Sequence, residues 1–207
     1  MTKNKELSHP NAIELEDLKI LFNKENYDLL ETKVKLLIQK YPNVPLLYNI
    51  LGTSQSSRKM FEEAVVNFKK AIMMDPKLLD AYNNLGIALK NSGDLIKSFG
   101  AFQDALKINP NHHLSNYSLG DLYTKFNEIE KATSCFKKAI DSKPDFSLAY
   151  SNYLFFLNYL DQYNSKFYYN EVLGYSKSIK RLDKNSLIPF KYNKSTTKLI
   201  VGFVSGD

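Results

Sequence analysis

The stretch YNNLGIALKNSGDLIKSFGAFQDALKINP, residues 82–110, recurs along the chain with a period of about 34 residues. The types that return in register are Pro42, Pro76, Pro110 and Pro144, Gly52, Gly86 and Gly120, Phe68, Phe102 and Phe136, and Ala71, Ala105 and Ala139. Apolar residues inside each unit follow helical spacing rather than strand alternation. The period and the spacing therefore predict an array of repeated helical units.

Packing explains the spacing within one unit. Small residues such as Gly86 and Ser98 allow two helix backbones to approach where they cross. Phe102 and Ala105 are three residues apart, so they share one face of the second helix. Pro110 lacks an N–H group and disfavours helical backbone at the residue before it, so it ends that helix.

These residues resemble a known repeat. The resemblance is to the tetratricopeptide repeat, a helix–turn–helix unit with the same period, through Tyr82, Leu85, Gly86, Ser98, Phe102, Ala105 and Pro110. It implies an all-α, right-handed solenoid of about five helix pairs, with a concave surface lined by the first helix of each pair. Such a stack buries one continuous core between neighbouring units.

The two ends depart from the pattern. Residues 12–42 indicate two helices without the glycine and alanine anchors, as expected of a capping unit. A further pair is predicted at 147–180, where Leu154 replaces the glycine. Its second helix is expected to begin after Asn164, which with Ser165 offers N-cap chemistry.

Composition narrows the class of protein. The chain has 207 residues, 43% of them hydrophobic, and one cysteine, Cys135, so no internal disulfide can form. The N-terminus shows no signal sequence, and no apolar run approaches the roughly 20 residues that span a bilayer. We predict a cytoplasmic location and no membrane partner.

The net charge of +6 is concentrated near the C-terminus. Residues 166–198 hold eight basic and two acidic residues, whereas the rest of the chain is nearly neutral. Only two arginines occur, Arg58 and Arg181, and arginine is the usual reader of phosphates and base edges. The charge pattern therefore argues against nucleic acid as a partner.

No catalytic constellation is evident. The histidines are His9, His112 and His113, and none has metal-ligand spacing to another candidate ligand. His112 and His113 are predicted to lie in a solvated turn, and Cys135 to be a packed thiol. No phosphate-binding motif is present, so we predict no metal, no cofactor and no catalytic residue.

The first helices carry candidate peptide-binding residues. Counting from the tyrosine anchor, the groove positions include Asn49, Asn83, Asn84, Ser118, Ser151 and Asn152. A side-chain amide both donates and accepts hydrogen bonds, so it can pair with a peptide backbone of any sequence. We predict that Asn49, Asn83, Asn84 and Asn152 bind a protein or an unstructured peptide, although asparagine also serves as a helix cap.

The segment KLIVGFVSGD, residues 198–207, has the composition of a buried parallel strand. It resembles the opening strand of the catalytic region in the SPINDLY-type O-linked N-acetylglucosamine transferase family, and SNYLFFLNYL, residues 151–160, resembles the segment after that family's last repeat. The resemblance implies a transferase that moves a sugar from a nucleotide-sugar donor to protein Ser or Thr, with repeats that guide the acceptor. The family's groove asparagines match Asn84 and Asn152, whereas Ile50 and Ser118 depart from the ladder.

The predicted organisation has five parts. They are an N-terminal capping pair at 1–44, three tetratricopeptide repeats at 45–144, an atypical helix pair at 145–180, a basic linker at 181–197, and the first strand of a missing catalytic domain at 198–207. The preferred function is the acceptor-recognition region of such a glycosyltransferase, and the alternative is a stand-alone scaffold for protein–protein interaction. A carboxylate clamp of the adaptor type ranks low, because Asn83 and Ile87 do not supply its Lys/Asn set.

Overall fold

The computed structural model describes residues 9–160 and 165–179, and every element in that part of the chain is a helix. The ten helices are α1 (Ala12–Asn23), α2 (Tyr27–Lys40), α3 (Pro45–Ser57), α4 (Phe61–Met74), α5 (Leu79–Asn91), α6 (Leu95–Ile108), α7 (His113–Lys125), α8 (Ile129–Ser142), α9 (Ser147–Leu157) and α10 (Ser165–Ile179). Each helix packs against the next, and α5 also contacts α3 and α7. The prediction of an all-α stack of about five helix pairs is confirmed for this part of the chain.

Proline ends the second helix of each of the first four pairs. Asn109, which precedes Pro110, has extended backbone (φ −138°, ψ 99°) as its steric clash with the proline ring requires. Its N–H still donates to the carbonyl of Ala105, so the last turn closes before the chain leaves the helix. The same geometry precedes the other three prolines, at Tyr41, Asp75 and Lys143.

The turn inside each of these pairs contains one residue in the left-handed region. The four residues are Glu25 (φ 54°), Lys59 (φ 63°), Gly93 (φ 93°) and Asn127 (φ 58°). They recur with the same period as the prolines. The backbone of α1 and α2 thus repeats the turn of the later pairs, although the glycine and alanine anchors are absent there.

Glycine sets the crossing of the two helices in each of the three regular pairs. A Cβ atom added to Gly86 would lie 2.5 Å from Cε1 of Phe102, which is fully buried. The same contact recurs between Gly52 and Phe68 and between Gly120 and Phe136. Ser98, also fully buried, donates from Oγ to the Gly86 carbonyl at 2.8 Å, so both small residues lie at the crossing as predicted.

The third regular repeat has asparagine at the tyrosine position but keeps the hydrogen bond that tyrosine makes in the first. The Tyr48 hydroxyl donates to the carbonyl of Pro42 at 2.9 Å. Asn116 occupies the tyrosine position two periods later, and its Nδ2 donates to the carbonyl of Pro110, also at 2.9 Å. The substitution therefore preserves the tie between the first helix and the preceding turn.

The N-terminal pair is joined to the first regular repeat by polar contacts. Ser54 Oγ donates to the carbonyl of Tyr27 at 2.9 Å, and Arg58 pairs with the buried carboxylate of Glu31. Burial alone would raise the pKa of Glu31, but its contacts with Lys35 and Arg58 outweigh burial and lower the pKa below its ordinary value. Glu31 therefore holds its charge at the junction of α2 and α3.

The last pair is built differently. Leu154, in place of the glycine, is buried among Phe136, Tyr150 and other apolar side chains. The rings of Tyr150 and Tyr175 lie 4.7 Å apart and link α9 to α10. The predicted linker at 181–197 and the predicted strand at 198–207 lie outside the described residues, as does the C-terminal part of the basic stretch. Among the helices that are described, none is long and apolar enough to cross a bilayer.

Candidate functional site

Two adjoining hollows run along the first helices of the N-terminal half. The first, which we name the apolar hollow, has a volume of about 270 Å³ and is lined by Leu15, Leu18, Lys19, Phe22, Leu46, Ile50 and Thr53. The second, the amide hollow, has a volume of about 280 Å³ and is lined by Thr53, Ser56, Ser57, Phe68, Asn84, Ile87 and Asn91. Thr53 lines both, so the two hollows form one groove across α1, α3 and α5.

Asn84 is half-buried in the amide hollow and is held in place by α3. Its Nδ2 donates to Oδ1 of Asn49 at 3.2 Å and lies 3.4 Å from Oγ1 of Thr53. Thr53 Oγ1 in turn donates to the backbone carbonyl of Asn49 at 2.8 Å. Within the described residues no group donates to Asn84 Oδ1, so this acceptor remains available to a bound molecule.

Asn49 and Asn83 are both buried, with exposed fractions of 7% and 3%. Asn49 orients Asn84, as its Oδ1 accepts the Asn84 amide. Asn83 points into a different network, where Ser115 Oγ donates to its Oδ1 at 3.1 Å. Peptide contact remains a prediction for both residues, and their burial favours a supporting role within it.

His112 completes the network of Asn83. Its Nδ1 lies 2.7 Å from Ser115 Oγ, and the side chain is buried at the start of α7. The prediction of a solvated position is therefore wrong for His112, because its ring is buried and contacts Ser115 in the first turn of α7. Burial, together with the neighbouring His113, lowers the pKa of His112, which favours the neutral ring.

Asn152 lies one layer further along the stack, on α9. Its Nδ2 donates to the hydroxyl of Tyr117 on α7 at 3.2 Å, and its side chain is half-buried. Ser118 stands between Asn84 and Asn152 in the repeat order and is buried, while Ser151 is exposed. The structure thus gives Asn84 and Asn152 the same kind of support from the preceding first helix, but not a continuous row of amides.

An ion pair interrupts the groove positions between these two asparagines. Lys90 Nζ on α5 and Asp121 Oδ2 on α7 lie 2.7 Å apart, and the side chains are 22% and 30% exposed. By repeat position Lys90 corresponds to Ser56 and Asp121 to Thr53, both of which line the amide hollow. The sequence interpretation overlooked this pair, although the separation of 31 residues on successive first helices could have indicated it.

Two features of the described residues bear on metal binding and on nucleophilic chemistry. No group of three or more His, Cys, Asp or Glu in that part of the chain could hold a metal ion. Cys135 is buried, as predicted, and burial raises the pKa of its thiol, which disfavours the thiolate needed of a nucleophile. The groove can donate and accept hydrogen bonds and can cover apolar side chains.

Comparison with known families identifies the repeats. Family models of the tetratricopeptide repeat match residues 46–78, 79–112 and 114–146. Three tetratricopeptide repeats occupy these residues. They correspond to the pairs α3–α4, α5–α6 and α7–α8.

Curated relatives share the repeats over part of their length. The chain is 27% identical over 112 residues to anaphase-promoting complex subunit 3 of Schizosaccharomyces pombe, covering 54% of this chain and 17% of that protein. It is 26% identical over 110 residues to the tetratricopeptide repeat domain-containing protein PYG7, chloroplastic, of Arabidopsis thaliana, covering 51% and 36%. It is 31% identical over 84 residues to superkiller protein 3 of S. pombe, covering 41% and 6%. The chain thus spans about a third or less of these relatives.

Solved structures share the fold. MamA superposes with a TM-score of 0.64 at 21% identity, covering 86% of this chain and 98% of that one. A thermophilic TPR protein of Thermus thermophilus superposes with a TM-score of 0.65 at 20% identity, covering 83% and 91%. The predicted tetratricopeptide-type solenoid is confirmed. None of the five proteins named here has a name that indicates a glycosyltransferase, so the resemblance in the C-terminal segments remains a prediction.

Proposed function

We propose that this protein-interaction module binds an extended, unstructured segment of a partner protein along its first helices. The observation that carries the proposal is the support of Asn84, whose Nδ2 is held by Asn49 and Thr53 while its Oδ1 is left as an acceptor. An extended peptide presents backbone N–H groups that need acceptors. In this proposal Asn84 and Asn152 contact the peptide. Asn49 orients the Asn84 side chain, and Asn83 joins α5 to α7 through Ser115.

Removing both direct contacts tests the proposal. We expect Asn84→Ala combined with Asn152→Ala to weaken the binding of an unstructured peptide by about tenfold, since two hydrogen bonds of ordinary net strength are lost. The ligand is a synthetic 12-residue peptide selected on the unmodified chain from a random library, and affinity is measured by calorimetry. The control is Asn111→Ala, which removes an exposed asparagine from the turn between α6 and α7. Equal affinity in the double variant and the control would contradict the proposal.

A finer proposal is that the bound segment is the acceptor of an O-linked N-acetylglucosamine transferase-like enzyme. It is supported by the sequence resemblance of residues 151–160, which supply most of α9 and carry Asn152, and of residues 198–207. The alternative is a stand-alone scaffold, which the tetratricopeptide repeats support equally. In either case we place the module in the cytoplasm as part of the proposal.

The gene separates these alternatives. An open reading frame that continues past the codon for Asp207 into several hundred residues of α/β pattern would support the transferase, and its product should transfer sugar from UDP-N-acetylglucosamine to a bound peptide. A stop codon directly after Asp207 would contradict the transferase and leave the scaffold.

A further inference from the structure

The apolar hollow leaves large hydrocarbon groups uncovered at one end of the groove. Phe22 and Leu46 line it and are 39% and 40% exposed. Its volume of about 270 Å³ lies below the roughly 300–1,000 Å³ of most small-molecule sites. Such a hollow suits one side chain of a longer molecule better than a complete small ligand.

The position of Ile50 marks a change in the chemistry of the groove. Ile50 on α3 occupies the repeat position that Asn84 holds on α5 and Asn152 on α9. A hydrocarbon side chain therefore occupies the position where α5 and α9 offer an amide. Leu15 and Leu18 of α1 extend the same apolar surface beside it.

The apolar hollow is continuous with the site proposed for the peptide backbone. Thr53 lines both hollows and also lies beside the Asn84 amide. A peptide held by Asn84 that runs toward α1 would therefore reach Ile50. The charges around the apolar hollow favour an uncharged peptide segment. α3 has no charged residue, and Lys19 at the rim pairs with Glu16 at 3.4 Å.

We propose that the groove selects extended peptide segments that carry one large aliphatic or aromatic side chain, seated in the apolar hollow, next to an uncharged residue whose backbone N–H donates to Asn84. This inference rests on the proposed function and adds its specificity. Leu46 and Ile50 are the residues that determine it, and burial of the anchor side chain against them supplies the selectivity.

The test begins with peptides chosen by the protein itself. A phage-displayed library of random 12-residue peptides is selected on the 207-residue chain, and the enriched peptides are synthesised. We expect each to contain a Leu, Ile, Met or Phe whose replacement by Ala lowers affinity by about tenfold or more. Enrichment of charged peptides without such a residue would overturn the inference.

Two variants assign the anchor to the hollow. Ile50→Asn introduces the residue found at the equivalent positions of α5 and α9, and Leu46→Asp introduces the residue of α5, Asp80, so each occurs at the equivalent position in another repeat. On either variant the anchor-to-Ala change in the peptide should alter affinity less than about twofold, because the two partners are then uncoupled. Leu46 is partly exposed, so Leu46→Asp provides the test even if Ile50→Asn does not fold.

The outcomes separate this inference from the proposed function. If Asn84→Ala weakens binding while Ile50→Asn and Leu46→Asp leave the anchor effect intact, the groove proposal stands and the apolar anchor site is overturned. If no peptide is enriched, or if all three variants bind like the unmodified chain, both are overturned.

Discussion

The three regular helix pairs and the last pair fill the space between their two helices with a large side chain from opposite helices. In the regular pairs a glycine on the first helix receives a phenylalanine ring from the second, as in Gly86 and Phe102. In the last pair Leu154 occupies the glycine position, and the exposed Asn170 occupies the ring position. The bulky group has therefore moved from the second helix to the first.

This exchange shows that the crossing depends on the sum of two side chains rather than on either one. A glycine is useful only where a ring fills the space above it, and a leucine is tolerated only where that ring is absent. Close packing of protein interiors enforces both conditions, since voids and overlaps are each destabilising. The same glycine should then be required in one place and harmful in another.

Leu154→Gly should produce the largest effect of the changes that test this comparison. It restores the repeat residue, but the ring position on α10 is held by the exposed Asn170, so a cavity is left among the side chains packed around Leu154. We expect a loss of about 2–5 kcal/mol, as for buried leucine truncations, with further loss from glycine in a helix. Chemical denaturation followed by far-UV circular dichroism measures it. A neutral result would mean that the end of the stack collapses onto the glycine and that the comparison fails.

Gly86→Ala tests the regular side of the comparison. The new Cβ would lie 2.5 Å from the Phe102 ring, and overpacking of this kind costs about 1–3 kcal/mol. Alanine also gains about 1 kcal/mol over glycine in a helix interior, so we expect a net loss of up to about 2 kcal/mol. The same denaturation experiment measures this change.

Gly100→Ala is the matched control for that variant. Gly100 lies inside α6, and a Cβ added there meets nothing within 4 Å. We expect it to gain about 0.5–1 kcal/mol from helix propensity alone. If Gly86→Ala stabilised the protein as much as Gly100→Ala does, the contact with Phe102 would not limit the crossing.

Residue identity predicted much of the fold but less of the site. The regular period revealed the helix pairs, because packing restricts Gly86 and Phe102 to particular types. The sequence does not show in the same way which of two adjacent asparagines is buried. Asn83 and Asn84 are adjacent in sequence, yet a helical turn of about 100° per residue places one in the buried network of Ser115 and the other in the groove.

His112 was missed for a related reason. A histidine in a turn between helices is usually solvated, and only the packing of α7 against α5 brings Ser115 and Asn83 around its ring. Asn116 shows the reverse case, since a residue that breaks the tyrosine pattern keeps the hydrogen bond that the tyrosine makes in the first repeat. Contacts were conserved where residue types were not.

The left-handed residue of each turn extends the comparison to the backbone. Lys59 adopts φ 63°, a conformation that costs an ordinary L-residue about 1–2 kcal/mol, whereas Gly93 adopts the equivalent φ of 93° with no side chain to clash. Lys59→Gly should remove that cost. Glycine also gives the unfolded chain more conformational freedom, which lowers stability by about 0.4–1 kcal/mol, so we expect the free energy of unfolding to rise by about 0.5–1 kcal/mol. The reciprocal change, Gly93→Ala, should lose a similar amount. Thermal and chemical denaturation of the two variants would measure these effects, and changes of the same sign would show that the turns are not equivalent.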